Sequence, residues 1–198
     1  MIFLKRLKTT LANIFLASGI TSHLSLLPLD AHLPSCHLPR TMPYLPPDIS
    51  GSIAHVTAEI TIDAPIETVW NIIVDFESYT NWNPFVRSQL ITDEQWNPLE
   101  PQPKPTEGAF LLMLCKIPPP PDGSLVPVDK SLTTSKEMLN FVEEENHRIG
   151  WTQKLYPNWA MKEQRWQELT EVVVDGKTQT KYYTVQVRFS KCCSAFLR

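Results

Sequence analysis

A glutamate and an arginine lie two residues apart in a late predicted strand of this chain. Glu163 and Arg165 share one face of that strand, because successive side chains of a strand point to opposite sides. Met161 and Leu169 lie in the same phase, so the charged pair is buried if these two are buried. A buried pair could orient a polar ligand group or shift the glutamate pKa for acid–base chemistry. In the alternative, this face meets solvent and Trp166 points inward.

His147 is the second residue whose type suits proton transfer. A general base must have a partner within hydrogen-bond reach, and His147 follows Asn146 near a predicted turn. Turn residues are usually exposed, which favours a histidine in solvent. The catalytic candidates are therefore Glu163 and His147, and the sequence leaves open whether the protein is an enzyme.

Aromatic side chains with a polar edge are the main candidates for ligand contacts. They suit the mouth of an apolar pocket, and the chain has six Trp and five Tyr. Two of them lie in the stretch VDFESYTNWNPF, and others lie in later strands and in a predicted rim loop, YPNW. The predicted ligand-binding residues are Tyr79, Trp82, Trp151, Trp159, Glu163, Arg165 and Tyr183.

Composition and spacing argue against several other kinds of site. The six glycines are scattered, so phosphate loops and dinucleotide fingerprints are absent. The four cysteines form no CxxC pair, and His32, Cys36 and His37 lie in a proline-rich segment that would not hold ligands in place. A net charge of -3 does not attract nucleic acid. We therefore expect no metal, no cofactor and no nucleic-acid partner.

Residues 1–52 are predicted to be a leader, partly disordered and proline-rich. The first 29 residues hold three basic residues and no acid, with apolar residues at helical spacing. The best apolar run, 11–20, is too short to span a bilayer, so we expect no integral membrane segment. This composition leads us to expect a cytoplasmic protein; the alternatives are a mitochondrial presequence or a secretory signal.

The order of the predicted elements defines an α+β domain. Apolar and polar residues alternate over 56–62 and predict a half-buried strand. Asp63-Ala64-Pro65 predicts the start of a helix, and a second short helix is expected over 76–82, before Asn83-Pro84. Antiparallel strands with the helices set aside make an α+β domain. Six further strands are predicted at 85–92, 109–117, 131–143, 148–155, 161–174 and 178–189.

Three segments of the chain resemble START-like domains. They are DAPIETVWNIIVDFESYTNWNPF at 63–85, NHRIGWTQKL at 146–155 and EQRWQEL at 163–169. This superfamily, also called SRPBCC, includes the polyketide cyclase/dehydrase and lipid-transport group and the pollen-allergen-like helix-grip fold. The resemblance covers about 53–189. It implies a curved seven-stranded antiparallel sheet with two short helices after the first strand, a long C-terminal helix and a cavity between them.

The resemblance implies that the domain binds a hydrophobic small molecule: a lipid, a sterol or an aromatic polyketide-like compound. A cyclase- or dehydratase-like enzyme is the alternative. Only nine residues follow Phe189, whereas a covering helix of ~20 residues would extend ~30 Å. We therefore expect the C-terminal helix to be missing and 190–198 to form a short atypical tail. A truncated, inactive fragment is the second alternative, and the oligomeric state is open.

Overall fold

The computed structural model of the protein describes residues 45–158 and 160–190. Seven strands, one α-helix and one 3₁₀ helix make up the described fold. In chain order they are β1 (Ala54–Ile62), α1 (Ile66–Val74), the 3₁₀ helix (Phe76–Asn81), β2 (Val86–Thr92), β3 (Phe110–Cys115), β4 (Thr133–Glu143), β5 (Arg148–Gln153), β6 (Lys162–Val174) and β7 (Lys177–Phe189).

All seven strands belong to one curved antiparallel sheet in the order β1-β7-β6-β5-β4-β3-β2. Consecutive strands are neighbours from β2 to β7, and β1 pairs with β7 at one edge. The predicted α+β class, the seven-stranded antiparallel sheet and the two short helices after the first strand are thereby confirmed. The predicted hairpin signal is also where expected, because Asp175 and Gly176, both with positive φ, join β6 to β7.

α1 closes one end of the sheet's inner face, which we define as the face that carries α1 and the 3₁₀ helix. Pro65 has an extended backbone at the helix N-terminus, and its ring is tolerated there because no helical hydrogen bond is lost. Val69, Trp70 and Ile73 are buried in the main core cluster. The hydroxyl of Thr180 on β7 donates to the Ala64 carbonyl at 2.7 Å and fixes the helix entry.

The outer face of the sheet carries a second, smaller buried cluster of Phe141, Trp166 and Val185. A β-bulge between Leu139 and Phe141 reverses the phase of β4, so that Leu139 joins the inner core while Phe141 joins the outer cluster. The Phe141 and Trp166 rings lie 4.8 Å apart. The middle of the sheet is therefore buried on both faces.

Three predicted features fall wholly or mostly outside the described residues: most of the leader (1–44), Trp159, and the tail beyond residue 190. The predicted compartment and the predicted loss of the C-terminal helix depend on these segments. Within 45–158 and 160–190, no helix is long and apolar enough to cross a membrane.

Gly150 lies against the Phe141 ring, so a larger residue at position 150 should destabilise the fold. A Cβ at position 150 would overlap the ring and lie 2.9 Å from the Arg165 carbonyl oxygen, a backbone atom that cannot yield easily. We expect Gly150→Ala to lower the free energy of unfolding by about 1–3 kcal/mol, the usual cost of overpacking. Urea denaturation measures this change.

Phe141→Leu provides the matched background, because the smaller side chain makes room for the added methyl group. In that background we expect Gly150→Ala to cost less than in the wild type, so that the double-mutant cycle shows coupling between the two positions. Strict additivity of the two substitutions would contradict the contact.

Candidate ligand-binding site

The stretch 74–85 forms a packed corner between α1 and β2. The Tyr79 hydroxyl donates to the Ile73 carbonyl at 2.8 Å, and the Tyr79 ring lies 4.7 Å from the Trp82 ring. Trp82 in turn donates its indole N–H to the Ser78 hydroxyl at 3.2 Å. Tyr79 is only 1% exposed and Trp82 7% exposed, and both belong to the main core cluster. The corner is a structural element beside the site.

A buried arginine fastens this corner to the sheet. The Arg87 guanidinium donates to the carbonyls of Asn83, Thr80 and Val126 at 2.7, 2.8 and 2.7 Å. The side-chain oxygen of Asn83 also accepts hydrogen bonds from the backbone N–H groups of Phe85 and Val86, at 2.9 Å each, at the point where β2 begins. Three separate backbone segments are thus held by one side chain.

The part of the inner face that α1 leaves uncovered forms a cavity of about 450 Å³. This volume lies within the ~300–1,000 Å³ range of small-molecule pockets. Its wall is largely apolar and is contributed by most strands of the sheet. The apolar wall comprises Val56 of β1, Phe85 and Val86 at the start of β2, Met113 and Cys115 of β3, Trp151 of β5, and Met161 just before β6.

Charged and amide side chains of β6 and β7 form one side of the cavity. Glu163 accepts hydrogen bonds from Arg188 at 2.7 and 2.9 Å and from the Gln186 amide. The same Gln186 accepts a hydrogen bond from the Arg165 guanidinium at 2.7 Å. Strand register explains this grouping, because Glu163 lies opposite Arg188, and Arg165 opposite Gln186. The array places a carboxylate and two guanidinium groups on an otherwise apolar wall.

Glu137 of β4 adds a second carboxyl to the cavity. It is 7% exposed and accepts a hydrogen bond from the Ser135 hydroxyl at 2.5 Å. Burial raises the pKa of Glu137 to about 7; the Ser135 hydrogen bond opposes the rise, Glu163 adds to it and Arg165 opposes it. A carboxyl with such a pKa can both accept and donate a proton near neutral pH.

Two further polar groups lie in the cavity wall. The Gln89 side chain of β2 is 1% exposed, and its amide nitrogen finds no acceptor among the described residues. Burial raises the pKa of the Cys115 thiol to about 12, so the thiol stays protonated and is a poor nucleophile. Cys115 therefore contributes surface rather than reactivity.

Three residues predicted from the sequence come together in this cavity: Trp151, Glu163 and Arg165. Glu163 and Arg165 do face inward, and Trp166 is nevertheless buried, on the outer face. An inward-facing Glu163–Arg165 pair excludes a buried Trp166 only if one face of β6 meets solvent, and in this part of β6 both faces are covered. Tyr79 and Trp82 belong to the corner itself, where their rings pack into the main core cluster.

Tyr183 and His147 lie away from the cavity. Tyr183 is on the outer face, against the cluster of Trp166 and its neighbours. His147 is at the opposite end of the sheet, where its Nε2 lies 3.0 Å from Glu67 Oε1 and its ring meets Trp70 edge to face. Trp159 lies outside the described residues.

Glu137 and Gln89 were not among the sequence candidates, although a signal for Glu137 exists. Glu137 lies two residues before the apolar Leu139, in the same strand phase, and this spacing is the signal that would place a charged residue on a buried face. Gln89 likewise lies two residues before the apolar Ile91, on the same face of β2. In the described part of the chain, no cluster of His, Cys, Asp and Glu side chains could hold a metal ion.

The raised pKa of Glu137 predicts a specific pH dependence of stability. The folded state binds the Glu137 proton more tightly than the unfolded chain, so this contribution is complete below about pH 4.5 and is lost as the pH rises through 7. Glu137→Gln keeps a neutral group at all pH values. The free energy of unfolding of the variant relative to wild type should therefore increase by about 3 kcal/mol between pH 4.5 and pH 8.

Urea denaturation at a series of pH values measures this difference. The same substitution at the exposed Glu77 controls for the loss of one negative charge. A difference between wild type and Glu137→Gln that stays constant with pH would show that the carboxyl titrates alike in the folded and unfolded chains.

Two solved structures are similar to this chain at low sequence identity. No curated protein matches the sequence. Among solved structures, the chain is similar to a START superfamily protein from Mycobacterium smegmatis, with 16% identity, a TM-score of 0.45, and coverage of 68% of this chain and 75% of that one. It is also similar to major latex-like protein 151 of Panax ginseng, with 8% identity, a TM-score of 0.47, and coverage of 68% and 78%.

A family model decides the assignment, because it matches most of the described domain. The model described as "polyketide cyclase / dehydrase and lipid transport" matches residues 54–190, from the first residue of β1 to just beyond β7. The matched segment contains every strand of the sheet and every residue of the cavity wall. The chain belongs to the polyketide cyclase / dehydrase and lipid transport family.

Proposed function

We propose that the domain binds one hydrophobic small molecule, a lipid, a sterol or an aromatic polyketide-like compound, in the inner-face cavity. The observation that carries the proposal is the 450 Å³ cavity with an apolar wall and a polar side built by β4, β6 and β7. Pockets of this kind bury the body of a ligand on apolar side chains and orient it with a few polar groups. Trp151, Glu163 and Arg165 are the proposed ligand-binding residues from the sequence.

The wall supplies the affinity and the polar side supplies the orientation. Removing apolar ligand surface from water is worth about 25 cal/mol per Å², so a ligand that buries ~200 Å² gains ~5 kcal/mol before the costs of association. The charged array contributes less net affinity, because its groups already bond to one another. Its fixed geometry instead selects ligands whose polar end can replace or extend these bonds.

Blocking the cavity tests the proposal without disturbing its polar residues. Val56 lines the cavity and the adjacent Thr57 is exposed on the other face of β1. We expect Val56→Trp to weaken binding of N-phenyl-1-naphthylamine, a neutral fluorescent aromatic probe, at least about tenfold, since the indole would occupy the ligand's volume. Thr57→Trp is the matched control and should bind like wild type.

Fluorescence titration gives both affinities, and circular dichroism shows whether both variants are folded. Equal binding by the two folded variants would place the probe outside the cavity. A folded wild-type protein that binds no apolar probe would contradict the proposal and favour an inactive fragment of such a domain.

A second candidate function, proton transfer on the bound molecule, is favoured by Glu137. Its carboxyl lines the cavity, and its pKa of about 7 lets it exchange protons near neutral pH. Arg165 of the same cavity could stabilise the enolate oxygen that forms when a proton leaves the carbon next to a carbonyl group. A cyclase- or dehydratase-like reaction requires such a step, and the positioned cavity wall would fold the substrate.

The proton-transfer candidate predicts catalysed exchange at an activated carbon. Benzoylacetone carries a CH₂ group between two carbonyls, and its exchange of hydrogen for solvent deuterium is followed by NMR in D₂O. If Glu137 accepts the proton, the wild-type protein accelerates exchange and Glu137→Gln loses about 10²–10⁴-fold of that acceleration. Val56→Trp serves as the blocked-cavity control. Acceleration that survives in both variants would exclude Glu137 as the base in this cavity.

A further inference from the structure

We infer that the cavity prefers hydrophobic molecules whose polar end is an oxygen anion, a carboxylate or an enolate, which the Arg165 guanidinium and the Gln89 amide would bind. This inference names the ligand class of the cavity and therefore rests on the proposed function. It follows from the charges that line the cavity, from the hydrogen bonds between them and from one buried donor.

The two carboxyl groups of the cavity differ in how they are held. Glu163 accepts hydrogen bonds from two guanidinium nitrogens of Arg188 and from the Gln186 amide. These bonds occupy its two oxygens and balance its charge locally. Because the pair is already complete, Glu163 and Arg188 together present little net charge to a ligand.

Glu137 and Arg165 are the second acid and the second base of the cavity wall. Glu137 is buried against Ser135, and its raised pKa leaves a large share of the carboxyl uncharged at neutral pH. In that share of molecules, the described cavity wall carries one more positive than negative charge. An anionic ligand group restores the balance, whereas a cation increases the excess, and opposite charges attract most strongly where water is excluded.

Gln89 of β2 adds a hydrogen-bond donor to the cavity wall. Its side chain is 1% exposed, lines the cavity, and has an amide nitrogen without an acceptor in the described part of the chain. Register places Gln89 opposite Met113, which lies opposite Ser135, the hydrogen-bond partner of Glu137. A buried donor of this kind favours a ligand that brings an acceptor oxygen.

The three donors share one chemical preference. A protonated Glu137, the Gln89 amide and the Arg165 guanidinium all give hydrogen bonds. A carboxylate or enolate accepts several such bonds, and bonds to an ionised acceptor are about twice as strong as bonds to a neutral one. An alcohol offers one weaker acceptor, and an ammonium group offers none.

Three ligands of equal chain length test the preference: decanoate, decanol and decylamine. Each displaces N-phenyl-1-naphthylamine from the wild-type protein at pH 7, at concentrations below micelle formation, and the fluorescence loss gives its affinity. We expect decanoate to bind about tenfold more tightly than decanol, because of its charge-assisted hydrogen bonds, and decylamine to bind most weakly.

Variants of Arg165 locate the preference in the cavity. Arg165→Gln removes the charge and should reduce the decanoate-to-decanol ratio to near one, while Arg165→Lys keeps the charge and should retain most of the ratio. Arg148→Gln is the matched control, since Arg148 pairs with Glu168 on another part of the sheet and does not line the cavity. If Arg165→Gln does not fold, Gln89→Leu should lower the same ratio.

The outcomes separate this inference from the proposed function. Probe binding with equal affinities for decanoate and decanol, or with decylamine as the tightest ligand, would overturn the anion preference and leave the binding function intact. A preference for decanoate that is unchanged in Arg165→Gln would also overturn it, because the anion would then be held elsewhere. No probe binding at all would overturn the proposed function itself.

Discussion

The Arg87 guanidinium holds together the corner on which the cavity depends. Its three hydrogen bonds join the 3₁₀ helix, the turn before β2 and the long segment between β3 and β4. Burial lowers the pKa of Arg87, which remains a cation, and its charge is dispersed over backbone carbonyls instead of a carboxylate. Because the three acceptors are backbone carbonyls, Arg87 fixes the path of the chain itself. The corner then defines where α1 stops covering the inner face and where the cavity begins.

The second constraint is the packing of the sheet on both faces. The outer cluster of Phe141, Trp166 and Val185 supports the strands that carry Arg165 and Gln186 on the other side. Because of the β4 bulge, Leu139 packs in the inner core while Phe141 packs in the outer cluster. A strand packed on both sides has little freedom to twist or slide. The polar array of the cavity is accordingly held on a stiff support, as recognition of a directional polar group requires.

The fold could be predicted from the sequence to a larger extent than the site. Alternating residues, Pro and Gly punctuation and the Asp175-Gly176 turn located nearly every element, because those signals are local. The orientation of β6 could not be predicted, since alternation identifies two faces but not which one is buried, and here both are. The bulge at β4 is equally invisible, because it depends on pairing with β5. The amphipathic rings of Tyr79 and Trp82 suit the mouth of a pocket, yet the same property suits a core position with one internal hydrogen bond.

Gln89 and Glu137 have a consequence for how the protein would behave in a cell. Both are buried polar side chains of the cavity wall; the Gln89 amide nitrogen finds no acceptor among the described residues, and burial raises the pKa of Glu137. A bound molecule that accepts a hydrogen bond from Gln89 would stabilise the folded state, and the stabilisation would grow with the logarithm of the ligand concentration relative to its dissociation constant. The empty form would unfold more often and be degraded sooner than the occupied form. The steady amount of the protein would then follow the supply of its own ligand, without any dedicated regulatory element.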